Sequence, residues 1–322
     1  MTDPTEPADA AAAALDVISG ERRHLLNLGY WLLGSLAEAE DAVQETYARW
    51  YAMSREQQDT ITSPAAWLTR VAGRICLDLL GSARVRRERY VGEWIPEPVP
   101  GPAEWLTGRA GPGAASAETA DPADRVTLDE SVGVAFLVAL EAMTPAQRVA
   151  LILHDVFEYP FAEVAAVTGR TPAACRELAS SARRRVRAAR PGGAAFDSAA
   201  SAPDQAALVR DFQRAWHTQD LNALLALLDP AAVFTADGGG LATTAPHPIH
   251  GAEQIARFVI EVTRQIQATV TLHERLVNGR PGLLVRKGGE TSAVYAFDVA
   301  AGRITRIWVV RNPEKLRLWG AG

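Results

Sequence analysis

Between Glu38 and Trp50 the chain reads EAEDAVQETYARW, and its apolar and polar positions separate at helical spacing. At about 100° per residue, Ala39, Val43, Thr46 and Trp50 share one face, while Glu38, Asp41, Gln44, Glu45 and Ala48 share the opposite one. The same period continues through most of residues 15–92, in ERRHLLNLGYWLLGSL and again in SPAAWLTRVAGRICLDLLGSARVRRERY, so this part is expected to be helical. Ser63 followed by Pro64 supplies a cap and a first-turn proline for the last of these helices. MSREQQDTITS between the second and third helices reads as a polar loop.

WIPEPVPGPAEWLTGRAGPGAASAETADPAD is rich in Pro, Gly and Ala and reads as a linker. Helical spacing resumes near Arg125 and lasts to Arg190, after which PGGAAFDSAASAP forms a second linker. From Asp204 the pattern changes. DQAALVRDFQRAW and LNALLALLD are helices, AAVFTADGGG is a strand running into a glycine turn, and GAEQIARFVIEVTRQ is a helix. TVTLHERL, TSAVYAFDV and RITRIWVV are strands, with turns at Gly288-Gly289 and Ala301-Gly302. Helices followed by strands that close over them make an α+β domain.

With 322 residues the chain has room for two or three domains, and residues 1–14 read as a poorly ordered lead-in. No apolar run approaches the length that crosses a bilayer, and no basic segment precedes a hydrophobic core as in a secretory signal. Cys76 and Cys175 lie far apart with no CxxC or metal-ligand spacing, as expected of packed thiols in a reducing cytoplasm. A net charge of −5 excludes a uniformly basic nucleic-acid binder, but the charge is uneven. Residues 170–190 hold seven Arg and one Glu, and residues 84–89 hold four Arg and one Glu. One acidic helix and two basic clusters point to two kinds of partner.

FAEVAAVTGRTPAACRELASSARRRVR has the layout of a helix-turn-helix: a short helix from Phe161, a turn at Thr168-Gly169-Arg170, then Thr171 capping a second helix that opens with Pro172. On that second helix Cys175, Leu178, Ala182 and Val186 form the seam. Thr171, Ala173, Arg176, Ser180, Arg183, Arg184 and Arg187 form the other side, where arginine can fork to guanine edges or phosphates. In the third N-terminal helix Leu68, Val71, Ala72, Ile75 and Leu79 face inward, and Trp67, Arg70 and Arg74 face out. Arginines with an aromatic ring suit a single strand with unstacked bases.

LGSLAEAEDAVQETYARW, SPAAWLTRVAGRICLDLL and MTPAQRVALILHDVFEYPFAEVAAVTG, in that order, resemble regions 2 and 4 of an extracytoplasmic-function (ECF) sigma factor of bacterial RNA polymerase. The tail resembles a SnoaL-like domain of the NTF2-like cone fold, and YVGEWIPEPV and NPEKL fit the subgroup that carries such a tail. The resemblance implies a multidomain chain: two all-α sigma domains, a region 2 helical bundle and a region 4 helix-turn-helix, followed by an α+β cone. The boundaries are region 2 at 15–95, a linker at 96–124, region 4 at 125–190, a linker at 191–203 and the tail at 204–322.

It further implies that Asp41, Gln44 and Glu45 dock on the clamp of the largest subunit of core RNA polymerase. Arg70, Arg74, Arg84, Arg86 and Arg87 would contact the melted −10 element of promoter DNA, and region 4 would read the duplex −35 element. Leu79 and Gly81 stand where relatives often carry Arg, which shifts the expected strand contact toward Arg84, Arg86 and Arg87.

The resemblance also gives the tail a regulatory role, through Asp237, Gly238, Gly239 and Gly240 and through Asn312, Pro313, Glu314, Lys315 and Leu316. Leu241 replaces the lysine that follows the glycines in the subgroup, and Glu314 replaces an aspartate. The expected protein is not an enzyme, needs no cofactor, metal or membrane, and is cytoplasmic. Other readings stay open: a ligand-sensing DNA-binding regulator without polymerase docking, or an enzyme-like tail. For these the polar groups available to a small ligand in the tail pocket are His217, Asp237, His247, His250, His273 and Tyr295.

Overall fold

The computed structural model describes residues 6–87, 90–101, 133–189, 202–266 and 270–320, so much of the two expected linkers lies outside the described residues. In chain order the helices are α1 (Glu6–Leu33), α2 (Leu36–Tyr51), α3 (Arg55–Asp59), α4 (Pro64–Arg87), α5 (Val134–Glu141), α6 (Pro145–Leu151), α7 (Phe161–Thr168), α8 (Pro172–Ala188), α9 (Ala202–His217), α10 (Leu221–Leu227) and α11 (Ala252–Ile266). The strands are β1 (Leu228–Asp237), β2 (Ile249–His250), β3 (Val270–Val277), β4 (Arg280–Lys287), β5 (Glu290–Ala300) and β6 (Arg303–Val310). The chain divides into two compact units. The first takes residues 1–84 and 143–184, and the second takes 85–104, 129–142 and 185–322.

In the first unit, α2 buries Ala39, Ala42, Val43, Thr46 and Trp50 and exposes Glu40, Asp41 and Glu45, as the spacing predicts, while Glu38 is half-buried near Arg148. The polar loop contains a short helix. Ser54 and Gln57 form a reciprocal capping box around α3, a signal present in the sequence as Ser-Arg-Glu-Gln. Ser63 Oγ accepts from Ala66 N at 3.3 Å and starts α4. Trp67, expected to face outward, packs edge-on against Trp50 at 5.2 Å between centroids and is half-buried. The helix-turn-helix is formed by α7 and α8: Gly169 takes the left-handed conformation (φ 66°) and Thr171 Oγ1 caps α8.

In the second unit, six strands form one sheet in the order β2-β1-β6-β5-β4-β3. β1 and β6 run parallel and the remaining neighbours antiparallel. The sheet curls over α9, α10 and α11. Phe212, Trp216, Phe234, Ile255, Val259, Leu283, Tyr295, Phe297 and Ile307 belong to the single core between them. β4 was not expected from the sequence, because Pro281-Gly282 interrupts its pattern. Gly282 is required there, since a Cβ would sit 2.5 Å from the Tyr295 carbonyl oxygen.

The opposite face of the sheet is also covered. Val277, Leu284, Val294, Ala296, Trp308 and Val310 pack under Ile95, Val134, Leu316 and Trp319. Residues 90–101 thus form an extended strap on the tail's sheet.

Candidate polymerase and DNA surfaces, and the clasp on the tail

Asp41, Gln44 and Glu45 are all exposed on α2, and Glu45 also holds Arg49 one turn on at 2.9 Å. That exposed i,i+4 pair contributes about 0.3–0.5 kcal/mol and leaves the face acidic. Arg70 and Arg74 are exposed on α4. Arg84, Arg86 and Arg87 fall in its last turns, with their side chains outside the described residues.

On α8, Thr171, Ala173, Arg176, Ser180, Arg184 and Arg187 are exposed, while Cys175, Ala182 and Val186 are buried and Leu178 half-buried. Arg176 lies over the Phe161 ring, 5.4 Å from its centroid, which orients its fork. Arg183 corrects the expectation. Its Nε and Nη2 donate to the two carboxylate oxygens of Asp155 at 2.7 and 2.8 Å, with the Asp155 side chain fully buried. A π-helical turn over Ile152–Val156 carries Asp155 in the interior. Arg183 therefore ties the helix-turn-helix together, and its planar fork is not presented to DNA.

Within the first unit, α6 and the π-helical turn meet α1, and α7 meets α4. Arg148 is 2% exposed and donates to the Leu32 carbonyl oxygen at 2.8 Å, satisfying an acceptor in the last turn of α1. Burial pulls its pKa down to about 9, opposed by the Glu38 carboxylate, so it stays charged at neutral pH. The Tyr159 hydroxyl meets Thr69 Oγ1 at 3.1 Å and His24 Nε2 at 2.9 Å. Gly73 faces Val167, where a Cβ would approach Cγ1 to 3.0 Å.

Burial holds the His24 pKa below its ordinary value. The unfolded chain therefore takes up that proton first, and the contact is fully stabilising above about pH 6.5 and weakens as pH falls below it. Glu21 and Glu163 have carboxyl pKa values raised by burial, so they act in the opposite sense as pH rises above their ordinary range. The drop in urea midpoint from about pH 7.5 to about pH 5.5 is therefore expected to be larger in the parent than in His24→Gln. Equal drops would remove His24 from this role.

In the second unit the glycine turn and the terminal motif meet at one buried carboxylate. Asp237 is 0% exposed. It accepts from the Tyr90 hydroxyl at 2.7 Å, from the Ile95 backbone N–H at 3.0 Å and from Lys315 Nζ at 2.7 Å. Lys315 Nζ also donates to the Ile95 carbonyl oxygen at 2.6 Å. It lies 4.2 Å from the Trp94 ring centroid and 5.0 Å from that of Tyr90. Asn312 Nδ2 donates to the Tyr90 hydroxyl at 2.8 Å, and its backbone N–H reaches the Asp237 carbonyl oxygen. Burial and the bond to Asp237 push the Tyr90 phenol pKa up, so it remains a donor.

The glycines serve this contact. Gly239 has φ +60°, and a Cβ there would stand 2.3 Å from Asn312 Nδ2. Leu316 packs on the sheet, while Pro313, Glu314, Gly240 and Leu241 are exposed. The ammonium that pairs with Asp237 is that of Lys315. Further along the strap, Val99 N donates to Asn278 Oδ1 and Asn278 N returns a bond to the Val99 carbonyl oxygen, at 3.1 and 2.9 Å. Trp319 Nε1 donates to the Pro98 carbonyl oxygen at 2.9 Å, and Pro100 bridges to Val277 in antiparallel sense.

The other polar groups of the tail do not converge. His217, His247 and His250 are exposed, and His273 bonds Thr271 at 3.0 Å. Tyr295 packs on Trp216 at 5.0 Å, and Asp237 is engaged by the strap. Among the described residues no group of three His, Cys, Asp or Glu could hold a metal ion, and no helix is long and apolar enough to cross a membrane.

An acidic helix face, a helix-turn-helix with an arginine-rich outer side, and a tail fastened to the segment between them define a two-region transcription-initiation subunit with an added domain. Comparisons with known proteins agree. Residues 17–86 match Sigma-70 region 2, and residues 134–186 match Sigma-70 region 4. ECF RNA polymerase sigma factor SigJ of Mycobacterium tuberculosis (strain H37Rv) is 37% identical over 304 residues, covering 91% of this chain and 90% of SigJ. The probable ECF sigma factor SigI of the same species is 33% identical, covering 92% of each chain. The crystal structure of M. tuberculosis SigJ aligns with a TM-score of 0.69 at 30% identity, over 94% of this chain and 98% of that one. The chain belongs to the ECF sigma factors of RNA polymerase, which direct promoter-specific transcription initiation. Its tail combines α9, α10 and α11 with one six-stranded sheet.

Proposed function

We propose that this sigma factor docks on the clamp of core RNA polymerase through Asp41, Gln44 and Glu45 and reads the −35 duplex through Arg176, Arg184 and Arg187. The melted −10 strand falls to Arg70 and Arg74 with Arg84, Arg86 and Arg87. The tail is a built-in brake that acts on the segment joining the two regions, and the protein works in the cytoplasm without enzymatic activity of its own. The observation that carries the brake is the buried Asp237 carboxylate, held by Tyr90 and Ile95 of the strap and by Lys315 of the terminal motif. The contacts of α6 and the π turn with α1 and of α7 with α4 support it, because regions 2 and 4 must part to span two promoter elements.

The acidic face favours a polymerase subunit over an autonomous repressor, which has no use for it. Asp41→Ala with Glu45→Ala is expected to weaken core-polymerase binding about tenfold or more, mainly through on-rate, with the fold intact because both side chains are exposed. Undiminished capture of core polymerase by the folded double variant would reject the docking face.

At the −35 element, Arg176→Ala is expected to cost about 1–3 kcal/mol of promoter discrimination. Arg184→Ala is expected to weaken all sequences alike and to flatten the salt slope by about one. Holoenzyme binding that changes with neither variant would mean that α8 is not the reading helix.

A further inference from the structure

The π-helical turn that buries Asp155 also carries His154, and the two neighbours reach α8 by different routes. His154 is 8% exposed, and its Nδ1 lies 2.9 Å from the Tyr159 carbonyl oxygen. A carbonyl only accepts, so Nδ1 carries the proton of this bond and the ring is held in place. The imidazole stacks on the ring of Phe161, with 3.8 Å between centroids and 28° between planes. Phe161 opens α7 directly after Pro160 and is half-buried. Against that same ring lies the exposed Arg176. His154, Phe161 and Arg176 thus form a continuous run from the buried turn to the outer side of α8.

The way an arginine is held decides what it can still do. Asp155 takes the Nε and Nη2 donors of Arg183, and those donors are lost to any other acceptor. A ring attracts the guanidinium through its π face and takes none of the five N–H donors. Arg176 is therefore steadied with its fork left for a ligand. A bidentate grip on guanine needs the planar fork aligned with the O6 and N7 edge, and a long free side chain must lose its rotamer freedom to achieve it. A ring behind the guanidinium removes part of that loss before binding, and His154 keeps the ring itself from turning.

We propose that Phe161 and His154 are positioning residues for −35 readout. They set the sequence discrimination of Arg176 while supplying no base contact of their own. The inference rests on the reading of Arg176 as a base-contacting residue and assigns the source of its precision.

The test measures, with holoenzyme, the ratio of affinities for an intact −35 element and for one changed at the base pair where Arg176→Ala loses discrimination. Phe161→Leu is expected to lower that ratio by about threefold to tenfold, the effect of ordering one long side chain. Its salt slope should match the parent's, because no phosphate contact is removed. Phe161→Tyr keeps the ring and should keep the ratio. His154→Asn keeps a donor for the Tyr159 carbonyl oxygen but removes the supporting ring, and is expected to lose about twofold to threefold. It gives the same readout if the leucine variant does not fold. In an Arg176→Ala background neither substitution should change the ratio further, since both act through Arg176. A ratio unchanged in folded Phe161→Leu or, where that variant does not fold, in His154→Asn, with Arg176→Ala impaired, would overturn the proposal. So would an equal loss with and without Arg176, which marks a general defect of the helix-turn-helix. No base pair at which Arg176→Ala loses discrimination would reject the reading of Arg176 itself, and the proposal with it.

Discussion

Asp237→Ala is expected to release residues 90–101 from the tail and to lower the unfolding free energy by about 3–5 kcal/mol, the cost of removing one partner of a buried ion pair. Three groups lose their acceptor at once: Lys315 Nζ, the Tyr90 hydroxyl and the Ile95 N–H. The ammonium suffers most, because Lys315 is 9% exposed and the Trp94 and Tyr90 rings replace only part of its hydration. Asp237→Asn keeps the shape and one acceptor oxygen but not the charge, and is expected to lose less. Urea unfolding followed by tryptophan fluorescence reports the contact directly, since Trp94 and Trp319 both lie in it. A loss below about 1 kcal/mol for Asp237→Ala would mean that the pair is solvated in solution and fastens nothing.

Gly73→Glu is the second large effect, and it acts in the other unit. A Cβ at this position already stands 3.0 Å from Val167 Cγ1, and a longer side chain forces a carboxylate against buried Val167 of α7. Overpacking alone costs about 1–3 kcal/mol, and stripping water from the charge adds to it. Region 2 keeps its own core, because Leu68, Ala72, Ile75 and Cys76 are buried on α4 independently of this contact. The expected result is therefore separation of α6–α8 from α1 and α4, not global unfolding. Small-angle scattering should show a larger radius of gyration at unchanged helix content by circular dichroism. An unchanged radius would mean that the contact at Gly73 is not what keeps these helices together.

The helices were legible because each rule that fixes them is local. Helical spacing placed the buried face of α2, and a Ser-Pro start and a Thr-Gly-Arg turn placed α4 and the helix-turn-helix. What escaped depends on contacts between distant residues. β4 looked like a loop because Pro281-Gly282 breaks the alternation, yet Gly282 is there for the close approach of the Tyr295 backbone. Arg183 has the spacing of an exposed arginine, and only the π turn under α8 reveals Asp155 as its partner. Residues 90–101 carry the prolines of a linker, but every residue from Ile95 to Val99 is buried. Spacing alone cannot join Asp237 to Lys315, which is 78 positions away. The glycine and Asn-Pro motifs meet at the buried Asp237 carboxylate, whose ammonium partner is Lys315 of the second motif.

The central claim is that a sigma core built for promoter recognition is restrained by its own tail through the strap. Run-off transcription by core polymerase on one promoter tests it most directly, comparing the parent with Lys315→Met at matched concentrations of folded, polymerase-bound protein. Methionine keeps the packing between Tyr90 and Trp94 but removes the charge that Asp237 and the Ile95 carbonyl oxygen share. The account predicts a severalfold rise in transcript per bound polymerase as the strap loosens. Equal yields from the two proteins, with the strap released in the variant as judged by amide exchange at Ile95, would contradict it.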